Sequence, residues 1–145
     1  MQKILVINPG STSTKVAVFE DVKQLFSITI RHTDEELKHF TWVMDQLDFR
    51  TRRIEQAMLE NGFDMQELTC IMSRGGMIPP CKSGAYRIND AMVQYMYDQK
   101  VDTHISNVGC AIAYGFAKRL NIPAYIYDPV TVDELAPIAR ITGLP

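Results

Sequence analysis

The chain has 145 residues, 46% of them hydrophobic and 22% charged, with a net charge of −2. That length suits one domain with a real core, since a chain of this size removes roughly two-thirds of its unfolded surface on folding. The scattered lysines and arginines exclude the electrostatic footprint of a nucleic-acid partner or an anionic membrane partner.

Cys70, Cys81 and Cys110 form no C-x-x-C pair. An odd number of cysteines, with an N-terminal apolar run too short for a signal peptide or a membrane span, predicts a cytoplasmic setting. The three thiols are expected to be free and to pack as small buried hydrophobes.

Residues 3–8 form a short apolar run ending at a turn signal, which predicts a buried strand. Residues 16–19 repeat that character, Glu20-Asp21 makes a turn, and 25–30 partly alternates. Three strands joined by short turns predict an antiparallel meander. Thr33 or Asp34 can cap a helical segment with Leu37, Phe40, Met44 and Leu47 on one face, and Ile54, Ala57 and Met58 carry the pattern to Asn61-Gly62. The pattern fits one helix or two.

Residues 68–73 read as a fourth strand, broken by Arg74-Gly75-Gly76 and a proline-containing loop over 75–84. Asn89 or Asp90 can cap a helix that turns Met92, Val93 and Met96 inward. Ser106 or Asn107 can cap the next, with Val108, Ile112, Phe116 and Leu120 at i+4 spacing and Asn121 as its stop. Residues 123–127 read as a fifth strand, halted by Asp128-Pro129, and a short helix is expected within 133–140. The order predicts an α/β fold: a mixed five-stranded sheet, its first three strands antiparallel, with right-handed crossovers onto parallel strands and flanking helices.

The loop between the first two strands is Asn8-Pro9-Gly10-Ser11-Thr12-Ser13-Thr14-Lys15. A Walker-type loop needs two glycines, Lys-Ser/Thr and a following helix. Here one glycine is present, Lys15 precedes Val16, and a strand follows, so the loop is a hairpin. Gly10 permits a positive φ, the N–H groups after it can converge on an anion, and the hydroxyls and Lys15 add donors and charge. The same residues are also ordinary turn formers.

Three further positions carry chemistry. Arg74, at a strand end before two glycines, can grip a carboxylate or acyl phosphate bidentately while Gly75 and Gly76 admit a ligand to the backbone. It can equally be a surface arginine beside a turn. Asp128 lies beyond the carboxyl end of a strand, where ligands of open α/β sheets gather, or it simply starts an Asp-Pro turn. His104, with Asn107, can donate to an anion at a helix start or serve as a cap. His32 and His39 have no supporting context and read as structural or exposed. Met77 and Ile78 can line an apolar pocket.

Strand–NPGSTSTK–strand resembles the phosphate loop of the acetate and sugar kinase/actin superfamily. Together with RGG at 74–76, HISNVG at 104–109 and YDPVTVDEL at 127–135, it resembles the butyrate kinase family along essentially the whole chain. Acetate kinases share the loop logic but typically carry His-Arg-x-x-His-Gly-Gly around the arginine. Met72-Ser73-Arg74-Gly75-Gly76 favours the butyrate branch.

The resemblance implies a ribonuclease H-like, actin-like ATPase domain and reversible phosphoryl transfer from ATP to a short-chain carboxylate, with Mg²⁺. It implies that Asn8, Gly10, Ser11, Thr12, Ser13 and Lys15 hold the phosphoryl end, and that Arg74, Gly75, Gly76 and Asn107 bind substrate. Asp128 would bind the metal directly or through water, and Arg74, Asp128 and His104 would be the catalytic set.

Family members carry a second, nucleotide-binding domain after this point. Residues 1–145 are therefore expected to be an N-terminal domain that binds ATP weakly and turns over nothing detectable alone, with a homo-oligomeric full-length form. The alternatives are a kinase for acetate, propionate or isobutyrate, and a non-catalytic domain that binds small phosphorylated ligands.

Overall fold

The computed structural model describes residues 1–99, 104–141 and 143. Strand β1 (Lys3–Pro9) pairs antiparallel with β2 (Ser13–Glu20), which pairs antiparallel with β3 (Lys23–Arg31) across a bulge at Val18/Phe19. This is the meander the short turns predict. Along β1 and β2 every second residue points to one face, and Leu5, Ile7, Val16 and Val18 on that face are fully buried.

The helical segment divides into unequal parts. A single turn, α1 (Asp34–Leu37), is capped reciprocally by Thr33 and Glu36. A 3-10 turn (Val43–Gln46) follows, started by Asp45, whose carboxylate accepts from the Trp42 N–H at 3.1 Å. It leads into α2 (Leu47–Glu60), which buries Arg50, Ile54, Ala57 and Met58 on one stripe.

Strand β4 (Cys70–Arg74) lies parallel to β1. The sheet has six strands, not five: β5 (Ala85–Arg87) adds an antiparallel edge beside β6 (Ala124–Tyr127), giving the order β3-β2-β1-β4-β6-β5. Its three residues, Ala-Tyr-Arg, are too few to carry an alternation. Strand β6 pairs parallel with β4, so β1, β4 and β6 all end at the same side of the sheet.

Helix α3 (Asp90–Asp98) is capped by Asn89, which accepts from the Met92 N–H at 2.8 Å. Helix α4 (Ser106–Leu120) stops at Asn121, whose φ of 55° is the left-handed C-cap that asparagine tolerates. Its start departs from expectation. Ser106 and Asn107 are not caps but fully buried residues of the first turn, and His104 Nδ1 accepts from the Ser106 N–H at 3.1 Å instead. The C-terminal helix is only a 3-10 turn (Pro137–Arg140), with Arg140 paired to Asp133.

Helices α2 and α4 pack on the buried face of the sheet. Cys110 is buried within α4, its thiol pushed up to about 12 by desolvation, whereas Cys70 and Cys81 are only half-buried. No helix among the described residues is long and apolar enough to cross a membrane.

Helix α4 approaches the strand ends through Gly109. A Cβ there would lie 2.6 Å from Ser73 Oγ and 2.8 Å from Pro9 Cγ, whereas a Cβ at Gly115 in the same helix would meet nothing within 4 Å. Gly109→Ala should lower stability by about 1–3 kcal/mol through overpacking. Gly115→Ala should raise it by about 0.5–1 kcal/mol through helix propensity. Urea denaturation of the two variants checks both signs.

His32 is structural, and buried rather than exposed. Its ring meets Phe49 edge-on at 5.2 Å between centroids, and Nε2 lies 2.9 Å from Thr14 Oγ1. Burial, with help from the Arg50 and Arg53 charges, holds its pKa down at about 4. The unfolded chain takes up this proton near pH 6.5 while the folded chain resists it, so the stability contribution is complete above 6.5 and is lost as pH falls toward 4. The loss should be on the order of 2–3 kcal/mol. Urea midpoints at pH 7.0, 5.5 and 4.5 should decline more steeply for the wild type than for His32→Gln; equal slopes would count against the assignment.

Candidate active site

The carboxyl ends of β1, β4 and β6 deliver Asn8, Arg74 and Asp128 to one cleft of about 440 Å³, whose apolar lining includes Val6, Met72 and Tyr127. Three residues predicted from separate motifs thus come together. The cleft lies where open α/β sheets place their ligands, beyond the strand ends. The Arg74 side chain is exposed and its guanidinium makes no hydrogen bond or ion pair among the described residues. Its five donors are therefore free for a carboxylate or phosphate.

Asp128 is held differently. Its φ is 42°, an uncommon conformation for a residue with a side chain. Two reciprocal bonds keep it there: its N–H donates to the Gly84 carbonyl at 3.1 Å, and its Oδ1 accepts from the Gly84 N–H at 2.9 Å. Oδ2 makes no hydrogen bond among the described residues.

The hairpin between β1 and β2 borders this cleft. Asn8 pairs directly with Lys15 across the two strands, so both side chains project from the same face, and both are exposed. Gly10 does not adopt the positive φ its identity permits. Its N–H closes the turn on the Ser13 carbonyl at 2.7 Å, so that amide is not available to an anion. Ser11 and Thr12 are exposed at the tip, and neither amide has a partner among the described residues.

Thr14 points the other way and is fully buried. Beneath it lies Arg50 of α2, also fully buried. Its NH1 donates to the Ser13 carbonyl at 2.9 Å and to Thr14 Oγ1 at 2.8 Å, its NH2 to the Ser11 carbonyl at 2.9 Å, and its Nε to Gln46 Oε1 at 2.9 Å. Sequence reasoning passes over this residue. The available signal is its position one turn before Ile54 on the apolar stripe of α2, where a solvated charge does not belong.

The remaining predicted residues are structural neighbours of the cleft. A Cβ at Gly75 would lie 2.4 Å from Pro129 Cα, and one at Gly76 would lie 2.6 Å from Asn107 Oδ1 and 2.8 Å from Met96 Cε. The space over these glycines is filled by the protein itself, so close packing rather than ligand approach accounts for them. Asn107, fully buried, accepts from the Met77 N–H at 2.8 Å through Oδ1 and braces the loop after Arg74. His104 is half-buried and tied to Ser106 at the start of α4, and neither it nor Met77 or Ile78 lines the cleft.

No protein-family profile matches the chain. Two proteins of Clostridium botulinum, from strains Eklund 17B and Alaska E43, each described as "Probable butyrate kinase", are 46% identical to it over 143 residues, 99% of this chain. The chain spans 40% of the length of these relatives. Among solved structures, acetate kinase from Entamoeba histolytica superposes with a TM-score of 0.56 at 13% identity, over 99% of this chain and 40% of that one. Acetate kinase from Porphyromonas gingivalis gives 0.51 at 13% identity, over 88% and 37%. The mixed sheet flanked by helices is accordingly a fold shared with these acetate kinases, and by sequence the chain is similar to the two probable butyrate kinases over 40% of their length.

Proposed function

We propose that this chain is the N-terminal domain of a short-chain carboxylate kinase, with butyrate as its acid, and that it supplies the carboxylate- and phosphoryl-holding side of the active site. The observation that carries this reading is the convergence of Asn8, Arg74 and Asp128 in one cleft beside a hairpin bearing Lys15. The identity to butyrate kinases along nearly all of this chain supports it.

In the proposed reaction a carboxylate oxygen of butyrate attacks the γ-phosphorus of ATP. The bond from that phosphorus to the β,γ-bridging oxygen breaks, and ADP leaves with the bridging oxygen. The acid is already ionised at neutral pH, so no general base is needed. Positioning and charge neutralisation are the work required of the protein.

Arg74 holds the carboxylate with two parallel N–H bonds. Lys15, Asn8 and the hairpin donors at Ser11, Thr12 and Ser13 hold the phosphoryl oxygens. Val6 and Met72 face the alkyl chain, where each buried methylene contributes about 0.8 kcal/mol. Bound Mg²⁺ would neutralise phosphate oxygens. Asp128 has Oδ2 left to hold that ion or one of its waters, and no group of three His, Cys, Asp or Glu among the described residues offers a fuller metal cage. A single carboxylate suits an ion held mainly by substrate phosphates.

The purified 145-residue chain, given ATP, Mg²⁺ and butyrate with hydroxylamine as trap, should yield no hydroxamate above background. Turnover at kinase-like rates would overturn the assignment to an N-terminal half-site. The chain should nevertheless bind butyryl phosphate, and Arg74→Ala should weaken that binding by about 10- to 100-fold, the range expected for losing hydrogen bonds to a charged group. Calorimetric titration giving equal affinities for the two proteins would remove Arg74 from the site.

A further inference from the structure

Arg50 is a buried cation without an anion. Four of its five N–H donors are committed, all to carbonyl, hydroxyl or amide oxygens, and no carboxylate lies within 4.0 Å of it among the described residues. Burial lowers its pKa to about 10, which still leaves it charged at neutral pH. An uncompensated buried charge is costly, and a neutral donor in its place would avoid that cost.

The geometry of the bonds says what the charge sits behind. No peptide bond among the described residues is cis, and in a trans peptide the C=O and the following N–H point in opposite directions. Arg50 NH2 draws the Ser11 carbonyl inward, so the Thr12 N–H is turned outward, away from α2 and toward solvent. That amide and its neighbour at Ser11 are the ones left without partners. Arg50 NH1 meanwhile draws in the Ser13 carbonyl and Thr14 Oγ1, fixing the other side of the same tip.

We propose that Arg50 is a positioning residue for anion capture: it orders the 11–14 tip from inside so that the Thr12 and Ser11 amides face a phosphoryl group, and its charge is balanced only when that anion is bound. This rests on the reading of the hairpin as a phosphate-binding element. Lys15 on the outer face would touch the anion, whereas Arg50 acts through the backbone. The ligand class is a phosphoryl oxyanion of any parent molecule, because backbone amides and a cation recognise the oxygens alone.

The test is a titration of the ¹⁵N-labelled chain with inorganic phosphate, followed by NMR. Saturable shifts are expected at the Ser11 and Thr12 amides and at Arg50 Nε. Arg50→Lys keeps the charge but cannot reach both carbonyls, and Arg50→Met removes the charge. Each should weaken phosphate binding by at least about 10-fold, the loss expected for charge-assisted hydrogen bonds. Ile54→Val, destabilised in the core by about 0.5–1.5 kcal/mol, serves as the control and should bind as wild type does.

If Arg50→Lys or Arg50→Met is folded and binds phosphate like the wild type while Lys15→Ala does not, the role given to Arg50 is wrong and the hairpin reading stands. If wild type shows no shift at Ser11 or Thr12 and Lys15→Ala changes nothing, the hairpin reading itself fails. Should both Arg50 variants unfold, Thr14→Val decides, since it removes one Arg50 acceptor and keeps the charge. A weakened affinity with Thr14→Val supports the proposal, and an unchanged one overturns it.

Discussion

The close approach of α4 to the ends of β1 and β4 is the constraint on which the rest of the molecule depends. It exists because position 109 has no side chain: Pro9 and Ser73 occupy the space a Cβ would take. The same device recurs nearby. Gly75 lies against Pro129, its N–H bonded to the Tyr127 carbonyl at 3.0 Å, and Gly76 lies against Asn107 and Met96. Three glycines thus let neighbouring residues pack directly against the backbone where the three parallel strands end. The loops that follow β4 and β6 are locked to one another, and the cleft between Asn8, Arg74 and Asp128 has a floor with little freedom to shift.

The hairpin is built on the opposite plan. Its outer surface is loose in hydrogen-bonding terms, with hydroxyls and amides at Ser11 and Thr12 that have no partner among the described residues. Its inner surface is fully committed to Arg50 and His32. A short loop with no helix behind it has no macrodipole to lend an anion. In the proposed reading the arginine of α2 takes that place, and its bond to the Ser11 carbonyl joins a helix formed some forty residues later in the chain to the first turn of the sheet.

What was legible in the sequence follows a simple physical division. Features decided by neighbours in the chain could be read: the alternation in β1 and β2, the Asn89 cap, the left-handed stop at Asn121, and the strand-end positions of Asn8, Arg74 and Asp128. Features decided by distant partners could not. Arg50 finds two of its four acceptors among the backbone carbonyls of a hairpin some forty residues earlier, and backbone carbonyls are the same for every residue type. Ser106 and Asn107 have the chemistry of caps, yet tertiary packing draws them inside α4 and leaves His104 to cap it. Gly75 and Gly76 suggested room for a ligand because a glycine does not reveal what fills the space beside it. β5 exists only because β6 offers an edge.

Under the proposed function, Asp128 is the place where folding and chemistry ask for different residues. A backbone at φ 42° is most comfortable for glycine, and asparagine tolerates it better than most. Either would relax the chain there, and neither would leave a free carboxylate oxygen facing the cleft. A search for more stable sequences on this scaffold would therefore drift away from aspartate at 128 unless binding were selected at the same time. Under the proposed function the position is a stability–function trade-off confined to one residue, and the Gly84 clasp holds the less comfortable choice in place.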